Sequence, residues 1–273
     1  MRLFPAPDSE SSGAFSGATA ELAGQLEFVS RSSDFLVSSP LLLETTEGNT
    51  ACRLGRCIFQ GPHGGGDPIR IGFFAGIHGD ERAGSYALLE LARALVRNPN
   101  LAEGYHLYLY PVCNPSGFDA GTRLSLSGKD LNREFWKDSA EPEVHLLERE
   151  IQDCAFHGLV SLHADDTSAG LYGFVRGAVL TRSLLEPALA AAEQVLARNC
   201  DPVIDNFPAE NGIISHCYDG ILTSPPKLEN TPFEIILETP HHAPEAQQID
   251  AFVRASLAIL AEYRKFIAFA ADL

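Results

Sequence analysis

Residues 69–96 read IRIGFFAGIHGDERAGSYALLELARALV. Ile69 to Ile77 is apolar apart from Arg70 and two glycines, a density that predicts a buried strand. Arg82 to Val96 carries Leu88, Leu89, Leu91 and Leu95 on one side, which predicts a helix. The turn between them, Gly76-Ile77-His78-Gly79-Asp80-Glu81, sets a histidine and a glutamate three residues apart. A strand passing through a polar turn into an amphipathic helix is the repeating unit of an α/β layered domain. In such domains ligands sit just beyond the carboxyl ends of the strands. The chemistry is therefore to be sought in that turn and its counterparts.

Those counterparts follow from the same periodicities. Upstream, Ala20 to Val29 has Leu22, Leu26 and Val29 at helical spacing, and Leu36 to Glu44 and Ala51 to Gln60 read as strands, with turn signals at Glu47-Gly48-Asn49 and Gly61-Pro62. Gly64-Gly65-Gly66 lacks the Gly-Lys-Ser/Thr of a phosphate loop and precedes a strand, so it reads as a flexible hairpin connection. Downstream, Tyr105 to Val112, Leu159 to His163 and Phe233 to Glu238 read as strands. Glu143 to Phe156, Ser183 to Arg198 and Ala246 to Phe269 read as helices. The expected fold is a single α/β domain over residues 19–273, with a mostly parallel sheet, behind a flexible tail at 1–18.

Composition narrows the partners. The chain has 273 residues, 45% hydrophobic and 21% charged, enough for one sizeable core. Its formal net charge of -16 repels phosphate backbones and anionic lipid surfaces, so neither nucleic acid nor membrane is an expected partner. No apolar run approaches the roughly 20 residues of a spanning helix. No secretory h-region follows Met1-Arg2-Leu3-Phe4-Pro5, and a cytoplasmic protein is expected. The six cysteines form no Cys-x-x-Cys pair, so they are expected to be reduced and mostly buried.

Taken alone, His78-x-x-Glu81 is a weak signal, and a polar turn capping the next helix through Asp80 is the plainer reading. Ser161-Leu162-His163 adds a second histidine at another strand end, which supplies a third ligand. Two imidazoles and one carboxylate with an open position form the catalytic type of zinc site. A second cluster runs from Asn114-Pro115-Ser116-Gly117-Phe118 through Arg123 to Asp130-Leu131-Asn132-Arg133, where arginine offers a planar fork for a carboxylate. Glu238 ends an apolar strand, where desolvation raises a carboxyl pKa and suits it to general base work.

In this order, Gly-Ile-His-Gly-Asp-Glu, Asn-Pro-Ser-Gly-Phe with Arg123, Asp-Leu-Asn-Arg, Leu-His and Glu238-Thr239-Pro240 resemble the signature of the zinc carboxypeptidase superfamily. The resemblance implies one α/β domain with a mixed sheet of about eight strands flanked by helices. It also implies one zinc ion held by His78, Glu81 and His163, with Glu238 taking a proton from the attacking water. Arg123 would help zinc polarise the scissile carbonyl, and Asn132 with Arg133 would clamp the free carboxylate of the substrate. A mobile tyrosine is expected about where Tyr218 stands, twenty residues before Glu238, with Tyr172 as the alternative.

Two branches of the superfamily cut an amide beside a free carboxylate. Carboxypeptidases and murein-peptide amidases act on short peptides; deacylases resembling succinylglutamate desuccinylase and aspartoacylase act on N-acyl amino acids. The deacylases generally carry a β domain after the catalytic glutamate, whereas the 35 residues after Glu238 read as one helix. The nine-residue spacing from Arg123 to Asn132 also looks more like compact peptidases, so a peptidase is expected. A non-catalytic metal-binding protein of the same fold is the remaining alternative. Asp165-Asp166-Thr167 reads as a solvated turn with an open role in orienting an imidazole, and His241-His242 as a loop. His145 and His157 read as surface residues of a helix. Side-chain preference is left open among Asp219, Lys227, Glu229 and Glu234.

Overall fold

The computed structural model describes residues 16–44, 50–177, 181–228 and 231–271. Helix α1 (Gly17–Arg31) is followed by four short strands, β1 (Leu36–Ser38), β2 (Leu41–Glu44), β3 (Thr50–Leu54) and β4 (Cys57–Gln60). Then come β5 (Ile69–Ala75), α2 (Arg82–Arg97), β6 (Tyr105–Tyr110), α3 (Pro115–Ala120), α4 (Pro142–Cys154) and β7 (Gly158–Asp165). The chain continues through β8 (Tyr172–Gly177), α5 (Thr181–Ala192), β9 (Val203–Ile204), β10 (Phe207–Glu210), β11 (Ile213–Ile214), β12 (Phe233–Pro240) and α6 (Glu245–Ala271).

Among the described residues one ten-stranded sheet runs in the order β1-β4-β6-β5-β7-β12-β8-β11-β10-β9, and β2 and β3 form a separate hairpin. The sheet is thus larger than the eight strands expected, and its parallel pairing is concentrated in the centre. β6, β5, β7 and β12 run parallel to one another. β4 pairs antiparallel with β1 and β6 on one side, and β8 pairs antiparallel with β12 on the other. The four parallel strands bring their carboxyl ends to one edge of the sheet, which is where the motif turns lie.

The α/β domain is three-layered. Apolar residues of β5, β6, β7 and β12 pack on one face against Leu22 and Leu26 of α1, Leu88 and Leu91 of α2, Leu185 and Leu189 of α5, and Phe252 and Ile259 of α6. The opposite face is covered by Val144, Leu147 and Ile151 of α4, together with Leu41 and Leu54 of the hairpin. Seven of the eight residues of β7 are buried, as expected of a strand covered on both faces.

Several local expectations change. Leu36–Gln60 forms four strands in place of two, because Pro40 has no N–H to continue a ladder and the chain crosses from the main sheet to the hairpin and back. The turn at Glu47-Gly48-Asn49 falls outside the described residues. Gly64-Gly65-Gly66 is not a hairpin connection: β4 pairs with β6, so the loop carries the chain past β6 to β5. The helix expected to reach Arg198 stops at Ala192, since Arg198 forms a parallel bridge with Leu171. Residues 1–15 lie outside the described residues, but α1 begins within the expected tail, where the Ser16 hydroxyl and Thr19 N–H donate to Asp119 at 2.9 and 2.8 Å. All six cysteines are free; Cys52, Cys57 and Cys113 are buried and Cys200 is exposed. No described helix is long and apolar enough to cross a membrane.

Candidate active site and metal centre

His78 and Glu81, in the turn after β5, meet His163 near the carboxyl end of β7, and all three are buried. Their ligand atoms lie within 4.8 Å of one another, and among the described residues no other His/Cys/Asp/Glu group has this arrangement. His78 Nδ1 lies 2.6 Å from Glu81 Oε1, and His163 Nδ1 lies 3.0 Å from Glu81 Oε2. The Ala164 N–H donates to the same Oε2 at 3.0 Å. Two Nδ1 atoms converging on one carboxylate are a donor set suited to a single divalent ion. Burial works to raise the Glu81 carboxyl, but the charge and hydrogen bonds of His163 and His78 hold it well below the usual carboxylate range. Burial pushes the His163 imidazole down and outweighs Glu81, keeping it neutral as a ligand requires.

The turn that presents His78 and Glu81 is shaped by backbone contact. A Cβ on Gly79 would stand 1.9 Å from the Gly117 carbonyl carbon and 2.2 Å from the Phe118 nitrogen, so only glycine lets this turn lie against α3. Asn114 caps α3: its Oδ1 accepts from the Gly117 N–H at 2.9 Å, while Nδ2 points to the carbonyls of Ile77 and Arg123 at 3.4 Å. The Asn-Pro-Ser-Gly-Phe stretch is therefore the buttress of the site turn.

Asp130 is the residue that the sequence reading left without a role. Its Oδ1 lies 3.1 Å from His78 Nε2, and its Oδ2 accepts from Arg123 Nη2 at 2.9 Å and Nε at 3.2 Å. Asp130 thus fixes the ring of one ligand and the guanidinium of Arg123 together. The available signal was chemical, since a ligating histidine needs an acceptor for its second nitrogen. Burial works against a charged Asp130, but His78 and Arg123 hold its carboxyl well below the usual range. The same contact, with Glu81, raises His78 despite its burial.

A cavity of about 330 Å³ opens over the cluster, and the expected site residues Glu238, Arg123, Asn132, Arg133 and Tyr218 all line it. Glu238 stands opposite His163 on β7 and Tyr172 on β8 in strand register. Burial raises its carboxyl well above the usual range, and the negative charges of Glu81, Asp165 and Asp205 add to this. Arg123 Nη1 is 3.6 Å from Glu81 Oε1. Arg133 donates to the Asn132 carbonyl at 2.7 Å, and its guanidinium carbon lies 4.4 Å from the centroid of the Tyr218 ring. Among the described residues it forms no ion pair. Asn132 Oδ1 is committed to the Leu222 N–H at 2.9 Å, which leaves Nδ2 as the group it can offer the cavity.

Of the two tyrosines weighed, Tyr218 is half-buried and donates to Asp205 Oδ1 at 2.9 Å. Tyr172 is buried and donates to Asp165 Oδ2 at 2.8 Å, which fixes it in place. Asp205 was not legible in the sequence. With Asn206 it forms the two-residue turn joining β9 and β10, both at positive φ (50° and 64°), the geometry of a tight hairpin. Asp165 receives the Thr167 N–H and hydroxyl, both at 2.7 Å, and belongs to no described metal group. His241 and His242 are both exposed, and of the two His241 lines the cavity, so they do not act as a pair. His145 is an exposed residue of α4, but His157 lies beyond its end and accepts from the Arg70 N–H at 3.0 Å.

Residues 69–199 match the family model of the succinylglutamate desuccinylase/aspartoacylase catalytic domain. Carboxypeptidase SOL1 of Arabidopsis thaliana is 29% identical over 107 residues, a match covering 33% of this chain and 22% of that protein. The chain thus spans about a fifth of that relative's length. Among solved structures, a candidate metallopeptidase from Shewanella amazonensis aligns with a TM-score of 0.69 at 24% identity, covering 87% of this chain and 90% of that one. A metallo-carboxypeptidase from Burkholderia cenocepacia aligns with a TM-score of 0.67 at 16% identity, over 92% and 70% of the two chains. One from Pseudomonas aeruginosa, in complex with (2-guanidinoethylmercapto)succinic acid, aligns with a TM-score of 0.59 at 17% identity, over 91% and 70%. At these identities the likeness is one of fold.

Proposed function

We propose that this chain, which belongs to the zinc carboxypeptidase-like superfamily, is a zinc-dependent hydrolase that cleaves an amide bond beside a free carboxylate, acting as a carboxypeptidase on short peptides. The observation that carries the proposal is the guanidinium of Arg133, which forms no ion pair among the described residues, in the same cavity as the His78, Glu81 and His163 cluster and Glu238. A metal-ligand set supplies hydrolysis, and a cation without a carboxylate partner supplies a reason for the substrate to bring one.

His78, Glu81 and His163 would hold zinc, which when bound supplies Lewis acidity toward the scissile carbonyl and toward water. Glu238, raised by burial and by its acidic neighbours, is suited to take the proton of the attacking water and pass it to the leaving nitrogen. Arg123, held by Asp130, donates toward the oxygen on which negative charge develops. Arg133 and Asn132 Nδ2 receive the substrate carboxylate, and Tyr218 covers the pair.

A second reading is N-acyl amino acid deacylation, favoured by the family model matched over residues 69–199. Purified protein loaded with zinc is to be assayed for release of a free C-terminal amino acid from peptides, and for release of acetate or succinate from acyl amino acids. Chelation abolishing the first activity, and zinc restoring it, is the expected result. Activity on acyl amino acids alone selects the second reading. No hydrolysis of either class selects a metal-binding protein without turnover.

A further inference from the structure

Tyr218 is held from three directions. Its hydroxyl donates to Asp205 Oδ1 at 2.9 Å and reaches the Asp205 carbonyl oxygen at 3.2 Å. Its ring meets that of Phe207 edge to face, with centroids 4.9 Å apart, and the Arg133 guanidinium lies over it at 4.4 Å. Asp205 and Phe207 belong to the β9–β10 hairpin, which is continuous with the main sheet because β10 pairs with β11 and β11 with β8. The chain just after Tyr218 is pinned as well. The Gly220 carbonyl accepts from the Phe135 N–H at 3.0 Å, and a Cβ on Gly220, at φ 76°, would stand 2.3 Å from the Arg133 carbonyl oxygen. Hydroxyl, ring and backbone are thus each tied to a different part of the sheet or of the segment that carries Arg133.

The contact between Tyr218 and Arg133 restrains the cation in a particular way. A guanidinium is planar, with its N–H donors in the plane, so a ring stacked on its face leaves the edge donors available. Arg133 Nη1 donates to the Asn132 carbonyl at 2.7 Å, and neither that bond nor the stack uses Nε or Nη2. An ion pair would also hold the side chain, but by occupying the donors that a substrate carboxylate needs. Arg133 is half-buried and its long side chain has many rotamers, so a free guanidinium would lose that freedom on binding.

We propose that Asp205 is a positioning residue for substrate binding: by holding the Tyr218 hydroxyl it keeps the Tyr218 ring on the face of Arg133, so that the guanidinium edge is aimed into the cavity before a carboxylate arrives. The proposal rests on the reading of Arg133 as the carboxylate clamp and adds to it the device that preorganises the clamp. Tyr218 then works in place, as a wall, without the swing of a mobile cap. The ordering entropy of Arg133 is met on folding instead of on binding, so the device acts on affinity and not on the chemical step.

The test uses the full zinc-loaded chain, with kcat and KM measured on the pH plateau for short peptides and N-acyl amino acids. Asp205→Gly removes the carboxylate and tolerates the φ of 50° at this position, and Tyr218→Phe removes the same hydrogen bond from the other side. Each should raise KM about three- to tenfold in whichever class is hydrolysed, with kcat changed less than about twofold. The double variant should be no worse than either single one, because both break one contact. Asp205→Asn, whose amide oxygen still accepts from the hydroxyl, should recover most of the loss. An unchanged KM, a fall in kcat alone, additive effects in the double variant or no recovery with Asn overturns the proposal. If neither class is hydrolysed, the hydrolase reading fails, and calorimetry with N-benzoylglycine and N-benzoylglycinamide decides the inference. Tighter binding of the carboxylate that is weakened by Asp205→Gly and by Tyr218→Phe supports it; affinities that neither substitution moves overturn it.

Discussion

Asp130 braces His78 from behind: its Oδ1 lies 3.1 Å from His78 Nε2, while the opposite ring nitrogen faces Glu81 at 2.6 Å. An acceptor on the second nitrogen fixes the tautomer and the direction of a ligating imidazole. Asp130→Asn should lower zinc affinity about 10- to 100-fold, as read by competition with a chelating dye. Wild-type affinity in that variant would show that the contact does not orient the ring.

Glu238→Gln removes the proposed base without touching the ligands. Zinc content should equal that of the wild type while kcat falls by roughly 10²- to 10⁴-fold. Turnover at the wild-type rate with zinc bound would remove Glu238 from the mechanism.

The raised carboxyl of Glu238 owes most to burial and part to Glu81, Asp165 and Asp205. A base works ionised, so its pKa sets the acid limb of the rate profile. Asp205→Asn deletes one nearby negative charge, favours the ionised form and lowers that pKa. The acid limb of kcat/KM for the zinc-loaded protein should therefore move to lower pH. A limb that stays put or moves upward contradicts the assignment.

Gly79→Ala would drive a methyl group into the backbone of Gly117 and Phe118. Overpacking against backbone should cost about 2 kcal/mol or more of stability, measured by denaturant unfolding of the metal-free protein. Zinc affinity should fall with it, because the turn carries both His78 and Glu81. A variant as stable as wild type would mean that α3 can retreat from the turn.

The parts of the fold legible in the sequence are those with long, unambiguous periodicity. β5, β7, β12 and α2 were readable from apolar density, and the clusters at their ends hold His78, Glu81, His163 and Glu238 in one cavity. β9 and β11 are two residues each, too short to carry a period, so the far side of the sheet and Asp205 were invisible. Asn114 and Asp130 sat inside motifs that could be recognised, but their roles depend on partners 37 and 52 residues away. Strand register decides which side of β12 each residue faces, and it sets Glu234 on the same face as Ile236 and Glu238, which an apolar run alone does not show.

Strand β12 binds two histories together. Phe233, Ile235 and Leu237 belong to the core beneath the helices, while Ile236 and Glu238, alternating with them on the face that also carries Glu234, line the cavity. A single inserted or deleted residue there would exchange the two sets, sending carboxylates into the core and the core into the cavity. Point substitutions on the cavity side leave the core side untouched, so a lineage can drift in what it selects through exchanges at alternate positions. Changes in the length of this strand are closed to it.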